Sequence, residues 1–204
     1  GGLKMPRSMP MISQRWSLAA LVVSLLLLLA ACGGDDDEES RGDPPPEPPP
    51  ITDFQIIIGA FDEGSPIPAQ YSCEGKGISP EIVWIGAPVG TNSFAVDMDD
   101  PDAPGGVFDH WVLFNLPPHL EGLSLGVSNV AELAGGGTHS RNSTGNVGYL
   151  GPCPPPGSAH HYRFTAFALD RMLELDSSAN KQDLLDAMSG HILADSLRTG
   201  TYLR

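Results

Sequence analysis

Two stretches of the chain concentrate side chains able to hold or pass a proton. The first is Asp99-Asp100-Pro101-Asp102-Ala103-Pro104-Gly105-Gly106, leading to Asp109-His110 at the head of an apolar run. The second is Gly151-Pro152-Cys153-Pro154-Pro155-Pro156-Gly157, leading to His160-His161-Tyr162. A carboxylate accepts hydrogen bonds, a phenol donates or accepts, and an imidazole does either according to its protonation. Proline fixes φ and glycine permits tight turns, so both stretches read as stiff loops that could present Asp, His and Tyr to a ligand at low entropic cost. The alternative is that acids and prolines merely decorate surface turns.

Hydrolytic or metal chemistry fits these residues less well. His110, His139, His160 and His161 with nearby aspartates could ligate a metal in principle. Yet the chain has no His-Glu-x-x-His spacing, no Gly-x-Ser-x-Gly elbow and no evident general base beside a nucleophile. The expectation is a protein without metal, cofactor or catalytic activity. His119 and His139 fall in loop sequence, and His191 on a predicted helix has a structural role.

The elements that must position these side chains read mostly as strands. Phe54–Ile58, Ile82–Trp84, Ser93–Met98, Trp111–Leu116 and Tyr162–Leu169 are short β-branched or aromatic runs between Gly/Pro/Asp clusters. In the last, Tyr162, Phe164, Ala166 and Ala168 alternate with Arg163, Thr165, Phe167 and Leu169. One segment reads as helix: Asn180 can cap it, Asp183 sits near its positive end, and Leu184, Met188 and Ile192 recur every four residues. The pattern predicts a β-sandwich or barrel-like pair of sheets with few helices, a single domain over residues 51–204.

What precedes that domain is of another kind. Residues 1–31 contain Lys4, Arg7 and Arg15, an apolar run from Leu18 to Ala31, and no acid. These are the parts of a secretory signal. The apolar run is short for a bilayer span, which takes about 20 helical residues, though an uncleaved membrane anchor is the alternative. Leu29-Ala30-Ala31-Cys32 resembles the bacterial lipobox, which implies lipid on Cys32 and cleavage before it. Residues 32–50 carry Asp35-Asp36-Asp37-Glu38-Glu39 and then Pro44-Pro45-Pro46-Glu47-Pro48-Pro49-Pro50. They read as an extended tether and lack the ligand spacing of a calcium loop.

Charge and cysteines agree with export. Three of the 11 basic residues lie before Cys32, leaving 8 against 25 acidic ones and a net charge near −17. Such a chain repels nucleic acid and an anionic bilayer alike, so membrane attachment requires a covalent or apolar anchor. With Cys32 assigned to lipid, Cys73 and Cys153 remain, and an even remainder in an exported chain suggests a disulfide. Two separate buried thiols are the alternative, and neither cysteine has a second at zinc-ligand spacing.

Four blocks in order extend the argument. Asp100-Pro101-Asp102-Ala103-Pro104, with Asp109-His110-Trp111-Val112-Leu113-Phe114-Asn115-Leu116-Pro117, resembles the signature of the phosphatidylethanolamine-binding protein family, which includes Raf kinase inhibitor-like proteins. Tyr71-Ser72-Cys73-Glu74-Gly75 through Ile78-Ser79-Pro80 and Trp84 resembles its N-terminal block. Gly148-Tyr149-Leu150-Gly151-Pro152-Cys153-Pro154-Pro155 with His160-His161-Tyr162-Arg163-Phe164 resembles its second pocket block. Gly190-His191-Ile192-Leu193-Ala194 through Gly200-Thr201-Tyr202 resembles the ending of bacterial members.

The resemblance implies a mostly β fold: a large antiparallel sheet packed on a smaller one, with a C-terminal helix. It implies a pocket for phosphate-bearing head groups and other small anions, formed here by Asp100, Asp102, Pro104, His110, Gly151, Pro152, His160 and Tyr162. His110 and His160 would donate to phosphate oxygens, more strongly when protonated. Asp100 would fix a histidine tautomer or accept from an ammonium head group, and Asp102 would brace the loop. Two positions depart from the family pattern. His161 stands where arginine is usual, and the aromatic residue before the pocket histidine is matched only by Phe108, two positions earlier. The expected function is non-enzymatic binding of a small anionic or phosphate-containing ligand by a lipid-anchored domain outside the cytoplasm, on the cell membrane or outer membrane of a bacterium. The alternative is a protein-interaction inhibitor of a protease, or a kinase-inhibitor-like regulator.

Overall fold

A computed structural model describes residues 53–204. The expected signal peptide, the lipid on Cys32 and the tether over 32–50 lie outside the described residues.

Each expected strand forms, with shifted ends. They are β1 (Gln55–Ile57), β2 (Ile82–Ile85), β3 (Ser93–Asp100) and β4 (Phe108–Leu116), then two short pieces, β5 (Gly122–Leu123) and β6 (Thr138–His139), and β7 (His160–Leu169). After helix α1 (Lys181–Met188), the last strand is β8 (Ile192–Tyr202). A five-stranded sheet has the order β6-β4-β3-β7-β8, and a three-stranded sheet the order β1-β2-β5, with every pairing antiparallel. This is the mostly β, two-sheet architecture with a helix near the C-terminus that the sequence implies.

Side-chain alternation explains the layering. Phe94, Val96 and Met98 of β3 join Trp111 and Leu113 of β4 and Phe164 of β7 on one face of the large sheet. They pack against Ile56 of β1 and Ile82 and Trp84 of β2. The predicted alternation of β7 holds. Phe164, Ala166 and Ala168 face this core, whereas Leu169 and Phe167 pack on the opposite face with Ala95, Val112 and Phe114. There α1 covers the sheet with Leu184 and Met188, both fully buried.

The helix begins as predicted and stops earlier. Asn180 accepts from the amides of Gln182 and Asp183, and Asp183 accepts from the amide of Asn180, completing a capping box. The four-residue recurrence does not reach Ile192. Gly190 takes a positive φ of 79°, which ends the helix and starts β8. His191 therefore lies beyond α1, where its Nδ1 faces Asp170 Oδ1 at 3.0 Å. His139, expected in a loop, is buried in β6 with Nδ1 donating to Val130 O at 2.7 Å.

Candidate functional site

Because β3 runs antiparallel to both β4 and β7, the C-terminal end of β3 lies beside the N-terminal ends of its neighbours. That one edge carries Asp100, His110, His160 and Tyr162. The sequence reading placed Asp100 and His160 in stiff loops and His110 and Tyr162 at the heads of strands; all four stand on strand ends, and the Pro/Gly segments close over them. Strand ends hold side chains with less freedom than loops do.

A β-bulge aims His110. Met98 pairs with Trp111 and Asp99 with Asp109, so His110 is the extra residue on β4. Strict alternation would turn His110 away from the face that Trp111 occupies. The bulge puts both on it. His110 then sits edge-on to Tyr162, ring centroids 5.2 Å apart, and 4.9 Å from the ring of Phe108. Phe108 lies beside the histidine because residues two apart on a strand share a face.

The cavity so formed has a volume of about 200 Å³. Asp100, Pro104, His110, Gly151, His160 and Tyr162 line it, joined by Ala103, Phe108, Leu150, Cys153, Pro154 and Pro155. Six of the eight expected ligand residues are therefore together in its wall. The other two lie outside its wall and brace it. Asp102 uses Oδ2 to accept from the amide of His161 at 2.8 Å and to bond its ring Nδ1 at 2.7 Å. Pro152 offers its carbonyl to the amide of Cys73 at 3.1 Å.

Each ring has one nitrogen committed to the protein. His110 Nδ1 donates to Leu150 O at 2.8 Å, and His160 Nδ1 faces Asp100 Oδ2 at 2.7 Å. Asp100 is itself held by the amide of Asp102, which donates to Oδ1 at 2.8 Å. The Nε2 atoms of both rings have no partner among the described residues. Burial pushes His110 below the usual histidine range, although the Leu150 carbonyl and the Asp100 carboxylate pull the other way. Burial, and then the charge of Asp100, raise the Tyr162 phenol. The Tyr162 hydroxyl is buried and has no well-formed hydrogen bond among the described residues.

The mouth of the cavity is fixed to the rest of the domain by a disulfide between Cys73 and Cys153, with Cα atoms 5.4 Å apart. Tyr149 donates to Tyr71 O at 2.9 Å, tying the same two segments. Gly151 is required here by approach rather than by φ: a Cβ on it would stand 2.4 Å from Tyr71 O.

A family model described as phosphatidylethanolamine-binding protein matches residues 58–203. The chain belongs to the phosphatidylethanolamine-binding protein family. A UPF0098 protein of Methanothermobacter thermautotrophicus is 44% identical over 145 residues, which are 71% of this chain and 95% of that one. A UPF0098 protein of Aquifex aeolicus is 42% identical over 152 residues, 74% of this chain and 88% of its own. The crystal structure of a phosphatidylethanolamine-binding protein homologue of Chlamydia trachomatis, CT736, is similar at 37% identity and a TM-score of 0.69, covering 75% of this chain and 99% of that one. That of Escherichia coli YbcL, described as a new member of the mammalian family, is similar at 31% identity and a TM-score of 0.70, covering 74% of this chain and 99% of that one.

Within this phosphatidylethanolamine-binding protein fold, His161 departs from the expected arginine and pairs with Asp102 on the exposed rim. Sequence reasoning missed a second polar cluster on the opposite face of the large sheet. Lys181 Nζ lies 3.0 Å from Asp97 Oδ2 and 3.7 Å from Asp109 Oδ1, and donates to Asp99. Arg163 grips Asp99 with two hydrogen bonds of 2.7 and 2.9 Å. The alternation of Asp97 and Asp99 with Val96 and Met98 was the available signal: acids on the second face of a central strand need buried cations.

Proposed function

We propose that this protein binds a small anionic or phosphate-containing group, such as the head-group-like phosphoethanolamine, without transforming it. The observation that carries this reading is the pair His110 and His160, each fixed through Nδ1 and each leaving Nε2 to a ligand in a cavity of about 200 Å³. Two imidazoles held in this way are positioned to share one oxyanion. The family's name points to the same ligand chemistry. The cavity wall also has no Ser or Thr hydroxyl, and Cys153 is in the disulfide. Equilibrium binding of phosphoethanolamine to the full chain tests the reading. Saturable binding, weakened roughly tenfold or more in each of the His110→Ala and His160→Ala variants that keep their fold, is expected; binding unchanged in both variants would place the ligand elsewhere.

The domain is proposed to act outside the cytoplasm, held by lipid on Cys32. The lipobox-like Leu29-Ala30-Ala31-Cys32 supports this, and so does a disulfide suited to an oxidising compartment. Metabolic labelling with palmitate should mark the wild-type chain and not Cys32→Ser. Equal labelling of the two would remove the anchor.

A further inference from the structure

We propose that the pocket selects ligands that carry an acidic proton, a phosphate monoester in preference to a diester, because His110 meets the ligand as a hydrogen-bond acceptor. The inference rests on the reading of the cavity as a phosphate site and adds the proton inventory of that site.

The tautomer of His110 is set by its partner. Leu150 O can only accept, and at 2.8 Å it requires the hydrogen on Nδ1. Nε2 then presents a lone pair to the cavity unless the ring takes a second proton. Three strands decide whether it does. From β7, Tyr162 and His160 face the ring; from β3 come the carboxylates of Asp100 and, farther back, Asp99; from β4 itself comes the apolar ring of Phe108. The carboxylates favour a second proton, while burial and His160 oppose it, and the balance holds His110 below its ordinary range. The neutral, accepting form is the resting one.

His160 has a different partner. Its Nδ1 lies against a carboxylate rather than a carbonyl. A phosphate monoester monoanion offers a P–OH to His110 Nε2 and keeps its charged oxygens for the rest of the cavity. A diester has no proton to give. Its oxygen would face the lone pair of His110 Nε2, or else His110 must be protonated against its burial. A phospholipid head group is a diester, whereas a soluble phosphorylated metabolite is a monoester, so the same preference separates these two sources.

Calorimetry on the full chain in detergent decides the matter with methyl phosphate and dimethyl phosphate, which differ by one methyl group and the acidic proton. At about pH 6, near the second ionisation of a monoester, methyl phosphate should bind at least about tenfold more tightly than dimethyl phosphate. Its affinity should then fall toward about pH 8, approaching tenfold per pH unit, with uptake of close to one proton. Attraction for charge alone predicts the opposite slope, since the dianion dominates at the higher pH. In His110→Gln, whose amide can donate or accept, the preference should shrink while binding persists. Equal affinities at about pH 6, a monoester affinity that rises with pH, or an undiminished preference in His110→Gln would each overturn the inference while leaving the phosphate site in place. Absence of methyl phosphate binding at either pH would overturn the site reading itself, and the inference with it.

Discussion

Leu150 and His110 exchange two hydrogen bonds: the amide of Leu150 donates to the carbonyl of His110 at 3.0 Å, and His110 Nδ1 donates to the carbonyl of Leu150 at 2.8 Å. The exchange is possible because the bulge leaves the His110 backbone outside the β3–β4 pairing. It joins the two sequence stretches, β4 and the Pro-rich loop, at the back of the cavity. It also sets the position and tautomer of the imidazole before any ligand arrives.

Truncating either pocket histidine removes one charge-assisted hydrogen bond to the ligand. His110→Ala and His160→Ala should each weaken phosphoethanolamine binding by about 1.5–3 kcal/mol, roughly tenfold or more in Kd. Calorimetry on the two variants measures it. His161→Ala, on the exposed rim, should change affinity far less.

Stability should respond to pH through groups of opposite sign. His110 and His139 are both held below the ordinary histidine value of 6.5 by burial. Their contribution is complete above that pH and is lost as the pH falls, since the unfolded chain takes up protons first. Asp97 is pushed up from 3.8 to about 6 by burial, with Lys181 opposing. Its contribution is complete below 3.8 and is lost as the pH rises through about 6. On acidification from neutrality, Asp97 therefore offsets part of the histidine loss. Asp97→Asn removes the offset, so urea midpoints of the variant should fall more steeply with acid than those of the wild type.

Lys181 is the central cation for three acids on the helix-covered face of the sheet. Lys181→Met keeps the stem and deletes the charge, leaving Asp97 and Asp109 uncompensated. Removing one partner from a buried ion cluster costs about 3–5 kcal/mol, and the bidentate Arg163 contact to Asp99 should keep the loss near the lower figure. Denaturant unfolding checks this, and ligand affinity should be nearly unchanged because the cluster faces away from the cavity.

The Cys73–Cys153 bridge closes a loop of 80 residues in sequence separation. Replacing both cysteines with serine should cost about 4 kcal/mol in the chain-entropy model. Cys153 also lines the cavity, so the variant should bind phosphoethanolamine more weakly even under conditions where it is fully folded. Thermal unfolding and calorimetry on the same sample separate the two effects.

The sequence was most informative where periodicity and sterics coincide. The alternation from Tyr162 to Leu169 predicted both faces of β7, and Asn180 with Asp183 marked the start of α1. It was least informative where a partner distant in sequence decides the outcome. β8 was hidden because Leu184, Met188 and Ile192 share a helical spacing, and the recurrence breaks only at the conformation of Gly190. Asp100, His110, His160 and Tyr162 were legible as a set. The attachment of Asp100 and His160 to strand ends was not, because Pro and Gly nearby signal loops while strand length depends on cross-strand pairing. The bulge at His110 arises from cross-strand register, which no local pattern encodes, and the alternation that buries Asp97 and Asp99 does not name Lys181 of α1 as their partner.

Histidine ring resonances followed by NMR, as phosphoethanolamine is added to the full chain, test the central claim most directly. The account predicts saturable shifts at His110 and His160, with His119, His139 and His191 nearly still. Shifts spread evenly over all six histidines of the chain, or none at His110 and His160, would contradict a phosphate site in this cavity.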